Sequence, residues 1–547
     1  VGPFYKNGGI SAYFFGGMMK KIVIVSVATA ILYSIMPSTA FASRLNQEDG
    51  IMPNHSADYV RTLNRNASTG ADAAFYNPAG LAFLDYKGLT VQLSSQTYYA
   101  KRLHTMDYYG IQFMGNPMLP TSNFLNPASG LPKEYSAETL APVVPGFDLI
   151  WKDDAWAVFL NAGITQAAPG MTFGQGLAVI DWGILAPFET TYAGTGGVSN
   201  NILGVWRDAK AVRTEYFIQG TVGGVYKIAE WVSTALGVRF IYATANQNIT
   251  VKYAGVATET AGGYNVSSVK PWLIDVDAKG AGAGIILGFH FRPIKIIDIG
   301  LKYEYYPPMV LKKKTNKLFV PGVVASSGSL NILVDGMDTF LKEYLYDPSG
   351  FDITKMTPMN LMKYRKEVKP SLKVTYPQSI ALGTSVKIWK GLRAEVSGEI
   401  QLRKFRDLDG RENMFNPLGW RAGGCLEWTF LPKATVSAGY AFNDFGVKKG
   451  QRNEVDPLLL SHSLGGGFLF GMSEWLDISL GAMYMIYMKE RVYSYEYTNV
   501  SGATVHAMSK TFDEKRLSVA IGFTLKLFGK KTEEQDGDMT IKLLKQK

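Results

Sequence analysis

Cysteine occurs once in 547 residues, at Cys425, so an intrachain disulfide and a thiolate metal cluster are both excluded. Histidine is nearly as scarce. The five, His55, His104, His290, His462 and His506, show no metal-ligand or triad spacing. With no phosphate-binding loop either, neither an enzyme nor a metal or cofactor site is expected. Charged residues make up only 19%, and the formal excess of +10 includes Lys6, Lys20 and Lys21, which precede the mature chain argued for below. The +7 that remains is too dilute to suggest nucleic acid. After Ala42 no apolar run reaches 18 residues, so no transmembrane helix is expected there.

What is abundant is glycine (57), tyrosine (30) and phenylalanine (29), at neutral mean hydropathy. Half-apolar strands have this composition, and all-β barrels run long as single units. Residues 18–42 read as a secretory signal peptide. Lys20 and Lys21 precede an apolar run from Ile22 to Ile35, and Ala40-Phe41-Ala42 is a small-x-small cleavage site. At about 14 residues the run falls short of the ~20 that a spanning helix needs. Residues 1–17, ahead of a double Met, read as an upstream extension.

Next comes Ala67 to Leu84, compact, apolar and rich in small residues. Thr69 followed by Asp72 predicts a capping-box start for one short helical turn over Ala73 to Tyr76. Asn77-Pro78 both ends that turn and suits the start of another through Ala79 to Leu84.

From Gly88 the chain repeats one unit: strand, tight turn, strand, long loop. Six hairpins, with a lone strand before and after, give fourteen strands over residues 86–528. An even count with short turns at one end and long loops at the other predicts an antiparallel transmembrane β-barrel. Side-chain parity supports this. In the last strand Leu517, Val519 and Ile521 share a face opposite Ser518, Ala520 and Gly522; from Leu392 to Lys404, charges occupy alternate positions and cannot face lipid. A soluble β-sandwich would alternate too, but would not sort its loops by length.

Parity directs Arg239, Lys302, Glu304, Arg393, Glu395, Glu399, Arg421 and Glu427 into the lumen. Their mixed signs suggest paired charges rather than a selective ring. Arg239 and Lys302 are the candidates to meet a ligand carboxylate. Among the loops, Gln166 to Asp208 is unusually apolar, with Met171, Phe173, Leu177, Ile180, Trp182, Leu185 and Phe188 as a candidate capture surface. The loop Pro307 to Thr375 contains two possible amphipathic helices, Met337 to Leu345 and Met359 to Val368. The stretch 252–271 reads as a short polar loop, and 529–547 as a polar periplasmic tail.

The sequence D-A-A-F-Y-N-P-A-G-L-A-F-L behind a signal peptide and ahead of fourteen strands resembles the outer-membrane long-chain fatty-acid and hydrocarbon transporters of the FadL type. The Gly-rich hairpins around residues 277–305 and the segment Y-P-Q-S-I-A-L-G add to the likeness. The resemblance implies a monomeric barrel in the outer membrane of a diderm bacterium, plugged by an N-terminal hatch over residues 43–85. Gly70, Asp72, Asn77, Pro78, Ala79 and Gly80 would then be hatch or gate residues. It also implies passive uptake of a hydrophobic small molecule, captured outside, bound within and released sideways into outer-membrane lipid beside a kinked third strand. Gly163, Pro169 and Gly170 are placed to allow that opening. A general porin or surface adhesin on the same scaffold is the alternative.

Overall fold

The computed structural model describes residues 56–108, 134–178, 202–260, 263–319, 371–407, 415–448, 452, 454, 457–498 and 504–531. The signal-peptide segment, the start of the hatch, Ile180, Trp182, Leu185, Phe188 and both amphipathic stretches of the 307–375 loop lie outside these residues.

Fourteen antiparallel strands close into a barrel, as the parity of the sequence predicts. They are β1 (Tyr86–Tyr108), β2 (Glu134–Lys152), β3 (Trp156–Phe173), β4 (Ile202–Ala229), β5 (Val232–Thr260) and β6 (Gly263–Ile294). Then follow β7 (Ile297–Tyr305 and Met309–Phe319), β8 (Ser371–Val374 and Gln378–Trp389), β9 (Leu392–Leu402) and β10 (Leu418–Leu431). The last are β11 (Ala434–Asp444), β12 (Ser461–Ser473), β13 (Leu476–Tyr487 and Glu490–Thr498) and β14 (Thr504–Lys531). Each pairs with the next, and β1 pairs with β14 from Tyr86↔Lys531 to Tyr108↔Met508, so the sheet has no free edge. Closure is what a membrane requires, since lipid offers backbone groups no partner.

Parity is realised in the wall. On β5, Leu236, Val238, Phe240 and Tyr242 are exposed outward, whereas Arg239 and Ile241 are buried inward. On β14, Leu517, Val519 and Ile521 face out and Ser518 and Ala520 face in. A closed sheet with such an apolar belt is a membrane-spanning barrel.

Several strands run well past the expected ends on the long-loop side. The 29-residue β5 and 32-residue β6 meet at Thr260↔Gly263, so 252–271 is hairpin wall rather than a short polar loop. A membrane needs only about 9–11 residues per strand, so much of each stands clear of lipid. At the other end Gly529 to Lys531, expected in the polar tail, still belong to β14, and residues 532–547 lie outside the described residues.

Inside lies the hatch: helix α1 (Ala57–Thr62), helix α2 (Ala73–Tyr76) and a 3₁₀ segment over Pro78–Phe83. Ser56 caps α1, its Oγ accepting from the Tyr59 amide at 3.0 Å, and Asp58 occupies the first turn. Pro78 opens the 3₁₀ segment, where a missing N–H costs nothing. The expected capping box is absent: Asp72 makes no cap bond, because its carboxylate is held by Arg65 and Ser68. Helix α1 packs chiefly on β13, β12, β14 and β11, and the 3₁₀ segment on β4, β5 and β6. Glycines let the wall come this close. A Cβ on Gly439 would lie 1.9 Å from the Thr62 carbonyl oxygen, and one on Gly300 would lie 2.0 Å from that of Asn66.

Candidate functional site

Three features make up the site: an anchored hatch, an apolar lumen wall, and a break in the barrel ladder. Each follows from a sequence element.

The hatch is fastened around the circumference by buried polar contacts. Asp58 accepts from Gln92 of β1 at 2.7 Å and from Ser479 of β13 at 3.0 Å. Arg61 meets Glu427 of β10 at 2.6 Å, and Glu427 also pairs with Arg393 of β9. Glu395 of β9 accepts from the Ala67 amide at 2.9 Å, while Arg421 of β10 donates to the Leu63 carbonyl. Burial by itself would raise the Asp58 carboxyl, but the adjacent Arg61 and Arg65 guanidinium groups hold it below its ordinary range.

Arg239 and Lys302 do face the lumen, but their charges are taken. Arg239 pairs with Glu304 at 2.9 Å and Lys302 with the same carboxylate at 2.7 Å. Both then turn to the hatch: Lys302 donates to the Phe75 carbonyl at 3.0 Å, and the Arg239 guanidinium lies 4.5 Å from the centre of the Phe75 ring. In this arrangement both cations bridge the wall carboxylate and the hatch. The wider expectation of paired lumen charges agrees with the structure.

Asn77 sits at the centre of the hatch. Its Nδ2 donates to the Ser68 carbonyl at 3.0 Å and to His290 Nδ1 at 2.8 Å, and His290 Nε2 reaches Asp298 at 3.0 Å. The Ser68 bond fixes the amide orientation, so His290 accepts at Nδ1 and donates at Nε2. Around Asn77, the Ala79 carbonyl accepts from Ser233 of β5 at 2.6 Å, and a Cβ on Gly80 would meet the Ser68 oxygen at 2.1 Å. Gly70 lies beside Arg65 and Asp72. The hatch residues singled out by sequence therefore form one packed unit.

Above the hatch an apolar cluster lines β4 to β8, with Phe217, Ile241, Tyr306, Met309, Leu311 and Tyr376 buried together. The Phe217 and Tyr376 rings are 5.5 Å apart, as are those of Tyr306 and Tyr376. Proline creates this cluster. Tyr306-Pro307-Pro308 interrupts β7 and Thr375-Tyr376-Pro377 interrupts β8, the two gaps lying side by side, since Met309 pairs with Val374 and Glu304 with Ser379. The sequence reading missed it, although two tyrosines each followed by proline at opposed strand positions were the available signal.

The third feature is in the β2–β3 ladder. Pairing runs from Lys152↔Ala157 to Gly146↔Gly163, stops, and resumes only at Glu138↔Thr172. Residues 139–145 and 164–171 therefore face each other without ladder bonds. Pro142 and Pro145 on β2 cannot donate, and β3 is bulged against β4 at Ile164/Gln166 and Ala168/Met171. Gly163 is the last paired residue before the break; Pro169 and Gly170 lie within it, Gly170 at φ +66°. Leu140 and Val143 beside the break are exposed outward. On the inner side, Phe217 pairs with Gln166 within the break, and Tyr376 lies against Thr165. The apolar cluster thus adjoins the gap.

The expected loop starts later than at Gln166: Met171 and Phe173 belong to β3, Leu177 follows it, and all three are buried. Met171 Sδ lies 3.2 Å from Arg102 of β1, which pairs with Glu514 of β14 at 2.9 Å.

Among solved structures the chain is similar to a Pseudomonas aeruginosa FadL homologue, at 14% identity over 90% of this chain and 100% of that one, with a TM-score of 0.53. Weaker likenesses are to the Pseudomonas putida toluene transporter TodX (10% identity, 87% and 99% covered, TM-score 0.48) and the Ralstonia pickettii toluene transporter TbuX (11%, 84% and 94%, TM-score 0.44). No protein-family model and no curated protein matches the sequence. The chain has the fold of the FadL-type channels, a fourteen-stranded antiparallel barrel with a helical hatch in its lumen.

Proposed function

We propose that this barrel is an outer-membrane transporter that takes up hydrophobic compounds, long-chain fatty acids or hydrocarbons, and releases them sideways into the bilayer. The observation that carries the reading is the unpaired stretch between β2 and β3, with Phe217 and Tyr376 at its inner mouth and Leu140 and Val143 at its outer one. An apolar chain gains about 0.8 kcal/mol for each CH₂ it buries. It therefore favours the lumen cluster over water, and leaving through the wall returns it to lipid without rehydration. The hatch, bonded to strands around the barrel, blocks the straight route to the periplasm. The barrel acts as a monomer in this scheme, since every step uses one chain's wall.

Uptake of a labelled long-chain acid and of toluene by cells producing the protein tests the reading, beside a hydrophilic sugar as control. Saturable entry of either hydrophobic compound, with little sugar entry and little bilayer conductance, supports it. Large steady conductance and sugar entry would identify the porin alternative instead. Absence of any hydrophobic binding by the purified barrel would remove the transport reading and leave the adhesin.

A further inference from the structure

Beneath the hatch, at the short-turn end, lies a cavity of about 820 Å³. Among the described residues its wall carries ten Lys or Arg side chains against six Asp. The cations nearest the hatch are matched: Arg61 pairs with Asp58 and Glu427, and Arg65 with Asp72. Arg292 pairs with Asp298 and Lys526 with Asp477. Lys87, Lys152 and Lys227 stand out, at the short-turn ends of β1, β2 and β4.

Lys152 is the exceptional one. It is 4% exposed, lines the cavity, and among the described residues has no hydrogen-bond or ion-pair partner. Lys87 and Lys227 are near enough to repel its charge, and their repulsion outweighs the pull of Asp154 and Asp85. A buried cation ordinarily keeps a paired anion, because water no longer stabilises its charge.

The two neighbours are loosely engaged. Lys87 pairs with Asp154 and Lys227 with Glu230, but those carboxylates stand in tight turns with side chains 76% and 93% exposed. Exposed pairs contribute little to stability and are readily exchanged. An anion in the cavity therefore finds three ammonium groups, one of them with no competing partner. Mutual repulsion among three cations favours a doubly charged oxyanion, since a single negative charge leaves most of that repulsion in place. Lysine ammonium groups bind phosphate well as point charges. The cavity lies inside the barrel wall, so its ligand comes from water rather than from the bilayer.

We propose that this cavity binds a water-borne phosphate group, inorganic phosphate or a small phosphomonoester, centred on Lys152 with Lys87 and Lys227 as its further contacts. Bound there, the dianion neutralises Lys152 and bridges the ends of β1, β2 and β4 below the hatch. The site does not depend on what the barrel carries, so its test stands apart from that of transport.

Calorimetric titration of the full-length purified protein with inorganic phosphate, in a phosphate-free detergent at fixed ionic strength, tests this. Saturable binding of phosphate is expected, with no matching signal from chloride. Lys152→Met should weaken binding at least tenfold and the double variant Lys87→Gln, Lys227→Gln several-fold, while Lys390→Met, at an exposed lysine outside the cavity, leaves it unchanged. Heat-modifiable gel mobility checks that each variant is a folded barrel. In the wild type, acylation read lysine by lysine by mass spectrometry should slow several-fold at Lys152 as phosphate is added and stay constant at Lys390. No saturable phosphate binding, an equal response to chloride, or binding that survives Lys152→Met would overturn the proposal. So would protection of Lys152 by phosphatidylglycerol in the micelle where inorganic phosphate gives none, which would make the ligand a lipid.

Discussion

Asn77 Nδ2 lies 2.8 Å from His290 Nδ1, and through this bond the hatch is tied to the inner wall of β6. The same amide donates to the Ser68 carbonyl. Replacing Asn77 with alanine leaves both acceptors buried and unmatched, at about 1–3 kcal/mol each. Asn77→Ala, like deletion of residues 43–76, is expected to leave the barrel inserted, as read by heat-modifiable gel mobility. Bilayer conductance or uptake should change. If both stay at wild-type level after both alterations, the segment only packs the lumen.

Glu304 anchors the two cations that grip Phe75, so the wall charges and the hatch should fail together. Lys302→Met removes one cation from a buried cluster and the bond to the Phe75 carbonyl. A buried pair broken on one side costs about 3–5 kcal/mol. Hydrogen exchange at residues 73–77 should accelerate at least tenfold, whereas β10–β12 amides should hold their protection. Exchange unchanged at the hatch would mean that Phe75 is held by packing alone.

These anchors show where the sequence was legible. Parity is forced wherever one face of a strand meets lipid, so strand centres, the fourteen-fold count and the inward aim of Arg239 and Lys302 could be read directly. The contacts across the chain could not, because Arg239 reaches Glu304 from another strand and Phe75 is 227 residues from Lys302. Strand ends were lost for the converse reason. Past the lipid belt nothing forces apolar alternation, so β5 and β6 continue on polar residues that read as loop. Helix α1 also escaped notice: six residues are too few to show a period, although Ser56 and Asp58 mark its start.

Phe217 and Tyr376 stand at the inner mouth of the ladder break and should set affinity for the transported compound. Tyr376→Ala removes a buried ring from the apolar cluster without disturbing a strand pair, since Tyr376 lies in the interruption of β8. Affinity for a hydrophobic probe should fall by tenfold or more, the loss of an aromatic contact and its area. Fluorescence titration with a long-chain acid or a monoaromatic reads this. A change confined to uptake, with equilibrium binding intact, would place the tyrosine on the exit path instead of in the binding wall.

Gly170 offers a direct handle on the break itself. Its φ of +66° suits glycine, and a Cβ there would meet nothing within 4 Å, so Gly170→Val adds backbone strain without a clash. Valine drives β3 toward extended geometry, in which residues 164–171 could take up ladder bonds to 139–145. Protection of those amides from exchange should rise, and uptake of hydrophobic compounds should fall while their equilibrium binding persists. Uptake that stays constant as the amides become protected would show that compounds leave the lumen by another route.

The hatch should also resist mild acid. Asp58 has its carboxyl held below the ordinary value by Arg61 and Arg65, so its contribution to docking is fully present above the unfolded pKa of about 3.9. That contribution is lost only as pH falls further, through the lower folded-state value, because the unfolded chain takes up the proton first. Between pH 7 and 5, conductance and the exchange rates of α1 amides, corrected for intrinsic chemistry, should stay constant, with release beginning below about pH 4. Asp58→Asn removes the charge while keeping the shape, leaves Arg61 dependent on Glu427, and should flatten the acid response. A hatch that loosens near pH 6 in the wild type would show that a group other than Asp58 governs its docking.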